Sequence, residues 1–322
     1  MTVRWILRGS LAALLLLSAQ ACSRAPRPQA TTANVVAADG ALCDITRRLA
    51  DGDLQVSCLL EGGDDPHQLQ LTPAQTRQLS QAQLVLINGY GLTPALGELP
   101  GAVKVAEIAV PDSPELSDRE DDHDHGHAPG HSHGDRDPHV WHDPRQAAAM
   151  VQVVSQKLQA LAPDASNRIE ARAEAMRSRL QALHRWNQQQ FSTVPSPAIL
   201  ASGHRAFASL SRAYGLQELA VLDASSASEA LRPQALEAVL QALSRQKVRS
   251  LFAEQQPAGK SLQRISQLSG VPLAPRPLQA DSAGENLMAT LTGNTCLIVD
   301  ALGGSCDQKS ARRLVEQWTA IR

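Results

Sequence analysis

The sequence predicts an α/β fold of two similar lobes, each with a central, mostly parallel sheet, joined by one long linking helix. Short apolar strands alternate with helical stretches in both halves of the chain, which is typical of parallel α/β sheets. Between the halves, an uninterrupted helical pattern covers residues 165–191 and is long for a globular helix. The length of 322 residues allows two domains with sizeable cores.

The first lobe is predicted over residues 34–162. Strands are expected at residues 34–38, 54–60, 84–88 and 103–108, and helices at residues 43–50 and 145–161. A further helix is expected to begin at Pro73, with Thr72 as its N-cap, because proline is favoured in the first turn and threonine just before it. The strand LVLIN at residues 84–88 is apolar on both faces, as strands of parallel sheets are.

The linking helix is predicted within residues 163–193, and the second lobe within residues 194–322. Strands are expected at residues 198–201, 219–222 and 250–253, with an extended segment at 273–278. Helices are expected at residues 205–213, 233–246, 261–269, 285–291 and 311–321. The sequence contains neither a nucleotide-binding glycine loop nor Gly-x-Ser-x-Gly.

The amino terminus has the pattern of an export signal at residues 1–21. Arg4 and Arg8 precede the apolar run at residues 11–17, and small residues follow. This run is too short to span a bilayer, which takes roughly 20 residues. Cys22 resembles the lipidated cysteine of a bacterial lipobox, and an ordinary signal peptidase site at Ala19-x-Ala21 is the alternative. We therefore expect a periplasmic protein, or a lipoprotein anchored on the outer face of the cytoplasmic membrane.

The chain after the predicted cleavage point begins with a tether at residues 22–33 and contains all five cysteines. If Cys22 carries a lipid, the other four form two local pairs, Cys43 with Cys58 and Cys296 with Cys306. Exported proteins reside where disulfides persist. We therefore predict these two disulfides, and buried reduced thiols are the alternative.

Residues 121–144, DDHDHGHAPGHSHGDRDPHVWHDP, hold seven of the ten histidines. Up to Gly134 this stretch has no large apolar side chain to offset the entropy of ordering it, whereas Val140 and Trp141 can enter a core. We predict that the solvated loop, residues 121–136, carries a weaker accessory metal site, and a simple spacer is the alternative. Its candidate ligands are His123, His125, His127, His131 and His133.

Four further side chains lie in loops beside predicted elements. His67 follows the second strand, His204 follows the strand that ends at Ala201, His139 precedes a helix, and Asp281 follows the extended segment. In open α/β sheets, ligands bind beyond the carboxyl ends of the strands. Composition and position therefore indicate a metal site in the cleft between the lobes. A single loop histidine is more often a surface or structural residue, and sequence spacing leaves open whether these four converge.

Five segments occur in the order and spacing of one known family. They are PHQLQLTPAQ (66–75), DPHVWHDP (137–144), SGHRAFASLSRAYGL (202–216), SEALRP (228–233) and LFAEQQ (251–256). They resemble the zinc- and manganese-binding proteins of bacterial ABC importers, in the group with a long rigid helix between two lobes. The likeness extends over essentially the whole mature chain.

The resemblance implies a function and a ligand set. It implies high-affinity zinc capture by a monomer and delivery to an ABC permease in the membrane. The family's ligand positions fall on His67, His139, His204 and Asp281. His142 stands where Leu or Met is common, so an accessory role in metal binding is one interpretation of it. The acidic position at Glu254 is interpreted as structural.

Ligand chemistry favours Zn²⁺ over Mn²⁺. Three imidazoles and one carboxylate suit four-coordinate Zn²⁺. The manganese members of the family carry Glu where His204 stands, and Mn²⁺ remains the alternative cargo.

Catalysis and nucleic-acid binding are not expected. A zinc hydrolase needs an open coordination position for a reactive water, and four protein ligands leave none. It also needs a general base, commonly the Glu of an HExxH motif, and the sequence lacks this motif. A formal net charge of −2 gives no reason to expect nucleic acid as a partner. A metal-buffering or adhesin lipoprotein that works without a permease is the remaining alternative.

Overall fold

Two parallel sheets form the framework of the described chain. The structure is a computed structural model that describes residues 33–60, 64–116, 136–222, 233–281, 283–284 and 286–322. One sheet has the order β2-β1-β3-β4 and the other β6-β5-β7, with every pairing parallel. The strands are β1 (Asn34–Ala37), β2 (Gln55–Cys58), β3 (Leu84–Ile87), β4 (Val103–Lys104), β5 (Ile199–Ser202), β6 (Gln217–Ala220) and β7 (Leu251–Phe252).

Ten α-helices accompany these strands in the described residues. They are α1 (Gly40–Ala50), α2 (Pro73–Gln81), α3 (Val105–Ala109), α4 (Pro144–Leu161), α5 (Ser166–Phe191), α6 (Ala208–Tyr214), α7 (Pro233–Gln246), α8 (Lys260–Ser269), α9 (Leu287–Ala301) and α10 (Gln308–Thr319). We call the part built on β1–β4 the amino-terminal lobe and the part built on β5–β7 the carboxy-terminal lobe. Helix α5 lies between the two sheets in sequence. The predicted fold of two parallel α/β lobes and one long helix is confirmed.

Local side-chain caps explain where two helices of the amino-terminal lobe begin. Thr72 caps α2 as predicted, since its Oγ1 accepts from the Gln75 amide at 3.2 Å while the Gln75 side chain accepts from the Thr72 amide at 2.9 Å. Helix α1 begins three residues earlier than expected. The Asp39 carboxylate accepts from the Leu42 amide at 2.9 Å and so caps a start at Gly40.

The predicted fourth strand, residues 103–108, is wrong beyond Lys104. The chain pairs with β3 for two residues and then enters α3. The Ala106 amide donates to the Asn88 carbonyl at 2.8 Å, and a Glu107 carboxylate oxygen accepts from the Tyr90 amide at 2.8 Å. These bonds to the loop after β3 draw the chain into a helical turn, a preference that the apolar spacing of the segment did not indicate.

The core of the amino-terminal lobe includes side chains from the end of the chain. Trp318 of α10 is fully buried, and its indole nitrogen donates to Asp44 of α1 at 2.7 Å. Asp44 also accepts from the Leu287 amide at the start of α9, at 3.0 Å. The domain boundaries given above remain predictions. Side chains of α9 and α10 pack in the core of the amino-terminal lobe, although the predicted boundary at residue 194 assigns both helices to the second lobe.

Both predicted disulfides are present. Cys43–Cys58 joins α1 to β2 with its Cα atoms 5.7 Å apart, and Cys296–Cys306 joins α9 to the loop before α10 with its Cα atoms 5.1 Å apart. Both separations suit a disulfide. The cysteine arithmetic therefore identified the pairing correctly.

Removing the Cys43–Cys58 bond is expected to lower the free energy of unfolding by about 3 kcal/mol, because it releases a loop of this size in the unfolded chain. The two cysteines are 15 positions apart. Urea denaturation of the Cys43→Ala, Cys58→Ala double variant measures this change. The matched control is the Cys296→Ala, Cys306→Ala variant, whose shorter loop should give a similar or slightly smaller loss. An unchanged unfolding midpoint would contradict the prediction.

Among the described residues, every helix is too short or too polar to cross a membrane. The predicted signal peptide, Cys22 and the tether as far as residue 32 lie outside the described residues.

Candidate metal centre

Three imidazoles and one carboxylate converge at a single point. His67, His139, His204 and Asp281 each offer a ligand atom within 4.8 Å of those of the other three. Asp281 Oδ1 lies 3.1, 2.9 and 3.2 Å from the Nε2 atoms of the three histidines in chain order. We call these four residues the HHHD cluster. The structure thus brings together the residues whose convergence the sequence left open.

Each member of the cluster stands where an element ends or begins. His67 lies in a short 3-10 turn after β2, which starts where the Asp65 carboxylate accepts from the His67 amide at 2.9 Å. His204 lies two residues after the end of β5, with Gly203 between them. Asp281 follows a segment in which the Leu278 amide donates to the carbonyl of Ala253, just beyond β7, at 2.8 Å.

Asp137 orients His139 and connects the two lobes. One of its carboxylate oxygens accepts from the His139 amide at 2.8 Å and lies 3.1 Å from Nδ1, which leaves Nε2 directed into the cluster. The other oxygen accepts from the amide and hydroxyl of Ser209 in α6, at 2.9 and 2.6 Å. Burial alone would raise the pKa of Asp137, but the hydrogen bonds from His139 and Ser209 hold it below its ordinary value.

Glu254 orients His204 in the same way. Its Oε2 lies 2.5 Å from His204 Nδ1, and its Oε1 accepts from the His204 amide at 3.2 Å. A Cβ at Gly203 would lie 3.2 Å from that same carboxylate, so glycine permits the close approach. This placement supports a structural role for Glu254, since carboxylates that hold the second nitrogen of a ligating histidine are common behind metal sites.

Sequence reasoning missed Asp137 and Ser209. The signal for Asp137 was its position two residues before His139 in the DPHVWHDP motif, where an aspartate side chain can accept from the amide two residues further on. Ser209 gave no local signal, because its contact with Asp137 joins residues 72 positions apart.

Charges within the HHHD cluster are strongly coupled. Burial alone would lower the pKa of His139, but the carboxylates of Asp137 and Asp281 raise it to about 9. Burial would also lower the pKa of His204. The carboxylates of Glu254 and Asp281 outweigh this effect, so the pKa of His204 lies well above its ordinary value. The pKa of Asp281 lies well below its ordinary value, because the imidazoles, His204 foremost, outweigh the effect of burial. The cluster therefore favours positive charge around one carboxylate, a charge that a divalent cation can supply in place of protons.

His142 does not join the cluster. Its ring is 1% exposed, and its Nε2 lies 2.9 Å from the backbone carbonyl oxygen of Ala280. Burial lowers the pKa of His142 to about 4, so the ring is neutral near pH 7. The accessory candidates His123, His125, His127, His131 and His133 lie outside the described residues.

Known proteins resemble this chain in structure or in sequence. The periplasmic zinc-binding protein TroA of Treponema pallidum superposes with a TM-score of 0.73 at 26% identity, over 84% of this chain and 99% of that one. The metal-binding protein YtgA of Chlamydia trachomatis serovar D is 25% identical over 93% of this chain and 96% of its own. The manganese ABC transporter substrate-binding lipoprotein PsaA of Streptococcus pneumoniae is 24% identical over 80% of this chain and 84% of its own.

The fold and the likeness to TroA define a class, the two-lobed solute-binding proteins with a long helix between parallel α/β lobes. Within that class, residues 35–301 match the family described as zinc-uptake complex component A periplasmic, ZnuA. The chain belongs to this family, as its five sequence segments indicated.

Proposed function

We propose that this protein captures Zn²⁺ in the HHHD cluster and delivers it to the permease of an ABC-type metal importer. The observation that carries the proposal is the convergence of three imidazole nitrogens and a carboxylate oxygen within 4.8 Å. Four such donors match tetrahedral zinc, which binds nitrogen and oxygen at about 2.0–2.2 Å. Membership of the zinc-uptake family supports the same cargo.

Zinc is preferred to manganese on donor chemistry. Three nitrogen donors suit zinc, whereas Mn²⁺ favours carboxylate, carbonyl and water oxygen, and divalent affinity at a shared site ranks zinc above manganese. PsaA is named for manganese at 24% identity, so Mn²⁺ is the second candidate cargo. The observation that favours zinc in this chain is the imidazole of His204 within the cluster.

The distribution of ligands suits capture and release. His67 and His139 belong to the amino-terminal lobe, and His204 and Asp281 to the carboxy-terminal lobe. A relative movement of the lobes would separate two ligands from the other two and so free the ion without chemical change. Since four protein ligands leave no open coordination position, we propose transport and not catalysis.

Export and anchoring complete the proposal. We propose that the mature chain is a monomer in the periplasm or on the outer face of the cytoplasmic membrane, anchored there through a lipid on Cys22. The histidines of the predicted loop, residues 121–136, would act as weaker accessory ligands in addition to the main site.

Competition calorimetry on the mature chain tests the cargo. With a chelator as competitor, we expect one tight Zn²⁺ per chain and much weaker binding of Mn²⁺. Zinc uptake by cells that carry the chain with its permease, and loss of that uptake without the chain, tests delivery. Tighter binding of Mn²⁺ than of Zn²⁺ would establish the second candidate cargo, and binding of neither would overturn the proposal.

Replacing His204 with Glu is expected to shift the metal preference toward Mn²⁺. The change exchanges a nitrogen donor for a harder oxygen, so zinc affinity should fall roughly 100-fold while manganese affinity changes little or rises. Parallel titrations of both metals give the ratio of affinities. His204→Ala is the control, because it should weaken both metals; a Glu variant that behaves like the Ala variant would contradict the prediction.

A further inference from the structure

His142 contacts both ligand-bearing segments of the opposite lobe. It belongs to the turn at residues 140–142, three positions after His139. Its Nε2 lies 2.9 Å from the carbonyl oxygen of Ala280, the residue before Asp281. Its ring packs against that of Phe207, three positions after His204, with centroids 4.8 Å apart. A carbonyl oxygen only accepts, so the neutral ring donates from Nε2.

The segment that carries Asp281 is also anchored to α9, a helix that packs against both lobes. The Asn294 side chain of α9 brackets Gln279, accepting from its amide at 3.0 Å and donating to its carbonyl at 2.8 Å. Thr290 of the same helix donates to the Ala283 carbonyl at 2.7 Å. These bonds fix both sides of Asp281 to α9, and the bond from His142 ties the intervening Ala280 to the amino-terminal lobe.

We propose that His142 is a positioning residue that holds Asp281 in place when the two lobes meet, and so slows metal release without ligating the metal. The inference rests on the proposed function. The His142 bond is buried and spans 138 positions of the chain. It reaches across the cleft to the backbone beside a ligand, so it forms only when the lobes are together. A leucine or methionine at this position would fill the volume but supply no donor.

Two substitutions separate the hydrogen bond from the packing. His142→Leu keeps an apolar side chain against Phe207 and removes the donor, while His142→Gln keeps an amide donor at a similar distance from the backbone. Loss of a residue that orients a metal ligand typically costs 10- to 100-fold in affinity. We therefore expect His142→Leu to bind one Zn²⁺ per chain with a dissociation rate about 10- to 100-fold higher than that of the unaltered chain, and His142→Gln to restore most of the difference.

Stopped-flow release of Zn²⁺ to a chromogenic chelator measures the rate, and the visible spectrum of bound Co²⁺ reports whether four-coordinate geometry is kept. A purely structural role would lower the melting temperature of the metal-free chain without changing release from the folded protein. If His142→Leu does not fold, His142→Met supplies the apolar comparison, since methionine adapts to irregular gaps.

Release at the unaltered rate from the Leu or Met variant would overturn the inference. Loss of the bound Zn²⁺ in both the Leu and the Gln variants would overturn it as well, since His142 would then act as a ligand. Failure of the unaltered chain to bind Zn²⁺ would be a different result, which overturns the proposed function itself.

Discussion

Zinc affinity is expected to fall at least about 100-fold when His139 is replaced with alanine. Structural four-ligand zinc sites bind with about 10–16 kcal/mol, so one ligand accounts for roughly 3 kcal/mol. His139 is fully buried, and its Nε2 lies 2.9 Å from Asp281. Alanine would remove the nitrogen donor and leave the Asp137 carboxylate facing a void, so both the ligand and its orientation are lost. Competition calorimetry at fixed pH measures the change.

The matched control is His184→Ala. His184 lies on α5, where its Nδ1 is 3.1 Å from the Tyr214 hydroxyl, and it does not belong to the HHHD cluster. Its removal should leave zinc affinity unchanged. If His142→Ala abolishes tight binding while His139→Ala does not, the second ligand has been assigned to the wrong histidine.

Zinc affinity is also expected to rise by at least about 100-fold between pH 6 and pH 8, because Zn²⁺ must displace protons from the cluster. The pKa of His139 is raised to about 9, so below that pH the ion displaces one proton from this ring. The pKa of His204 is raised as well, which adds a second proton. Each displaced proton changes the affinity about tenfold per pH unit.

Calorimetry in buffers of different ionisation enthalpy counts the released protons. We expect at least about one proton per Zn²⁺ at pH 7 from His139, with a further contribution from His204, and a value near zero would contradict the prediction. Loss of the same protons affects the folding stability of the metal-free chain in the opposite direction. A histidine whose pKa is raised by folding stabilises the metal-free chain below its ordinary value of about 6.5, and this contribution is lost as the pH rises toward about 9. The metal-free chain should therefore lose stability over the pH range in which zinc binding strengthens.

Much of the framework could be predicted because its signals are local. The strand at Leu84–Ile87 is a short apolar run, and the start of α2 follows from Thr72 and Pro73. The helix at Pro233–Gln246 was predicted at its observed bounds. Each of these predictions depends on residues a few positions apart in sequence, the range over which periodicity and capping act.

Helix α9 shows where local signals fail. The sequence predicts a helix only at residues 285–291, whereas α9 runs from Leu287 to Ala301. Gly293 and several threonines within it are poor helix formers. Most of its side chains are nevertheless buried against both lobes, and that packing outweighs the intrinsic preference.

The sequence by itself determined the α/β class, the disulfide pairs and four candidate ligands. Strand alternation and cysteine count are readable along the chain, three ligands lie in the family segments, and Asp281 follows a recognisable extended segment. Only the tertiary structure decided that these four side chains meet. His67 and Asp281 are 214 positions apart, and at that separation the sequence spacing gives no information about the distance between two side chains. It also decided the direction of His142. A histidine beside a ligand can face the ion or the backbone with the same sequence around it, and here the Ala280 carbonyl is the group within hydrogen-bonding distance of its Nε2.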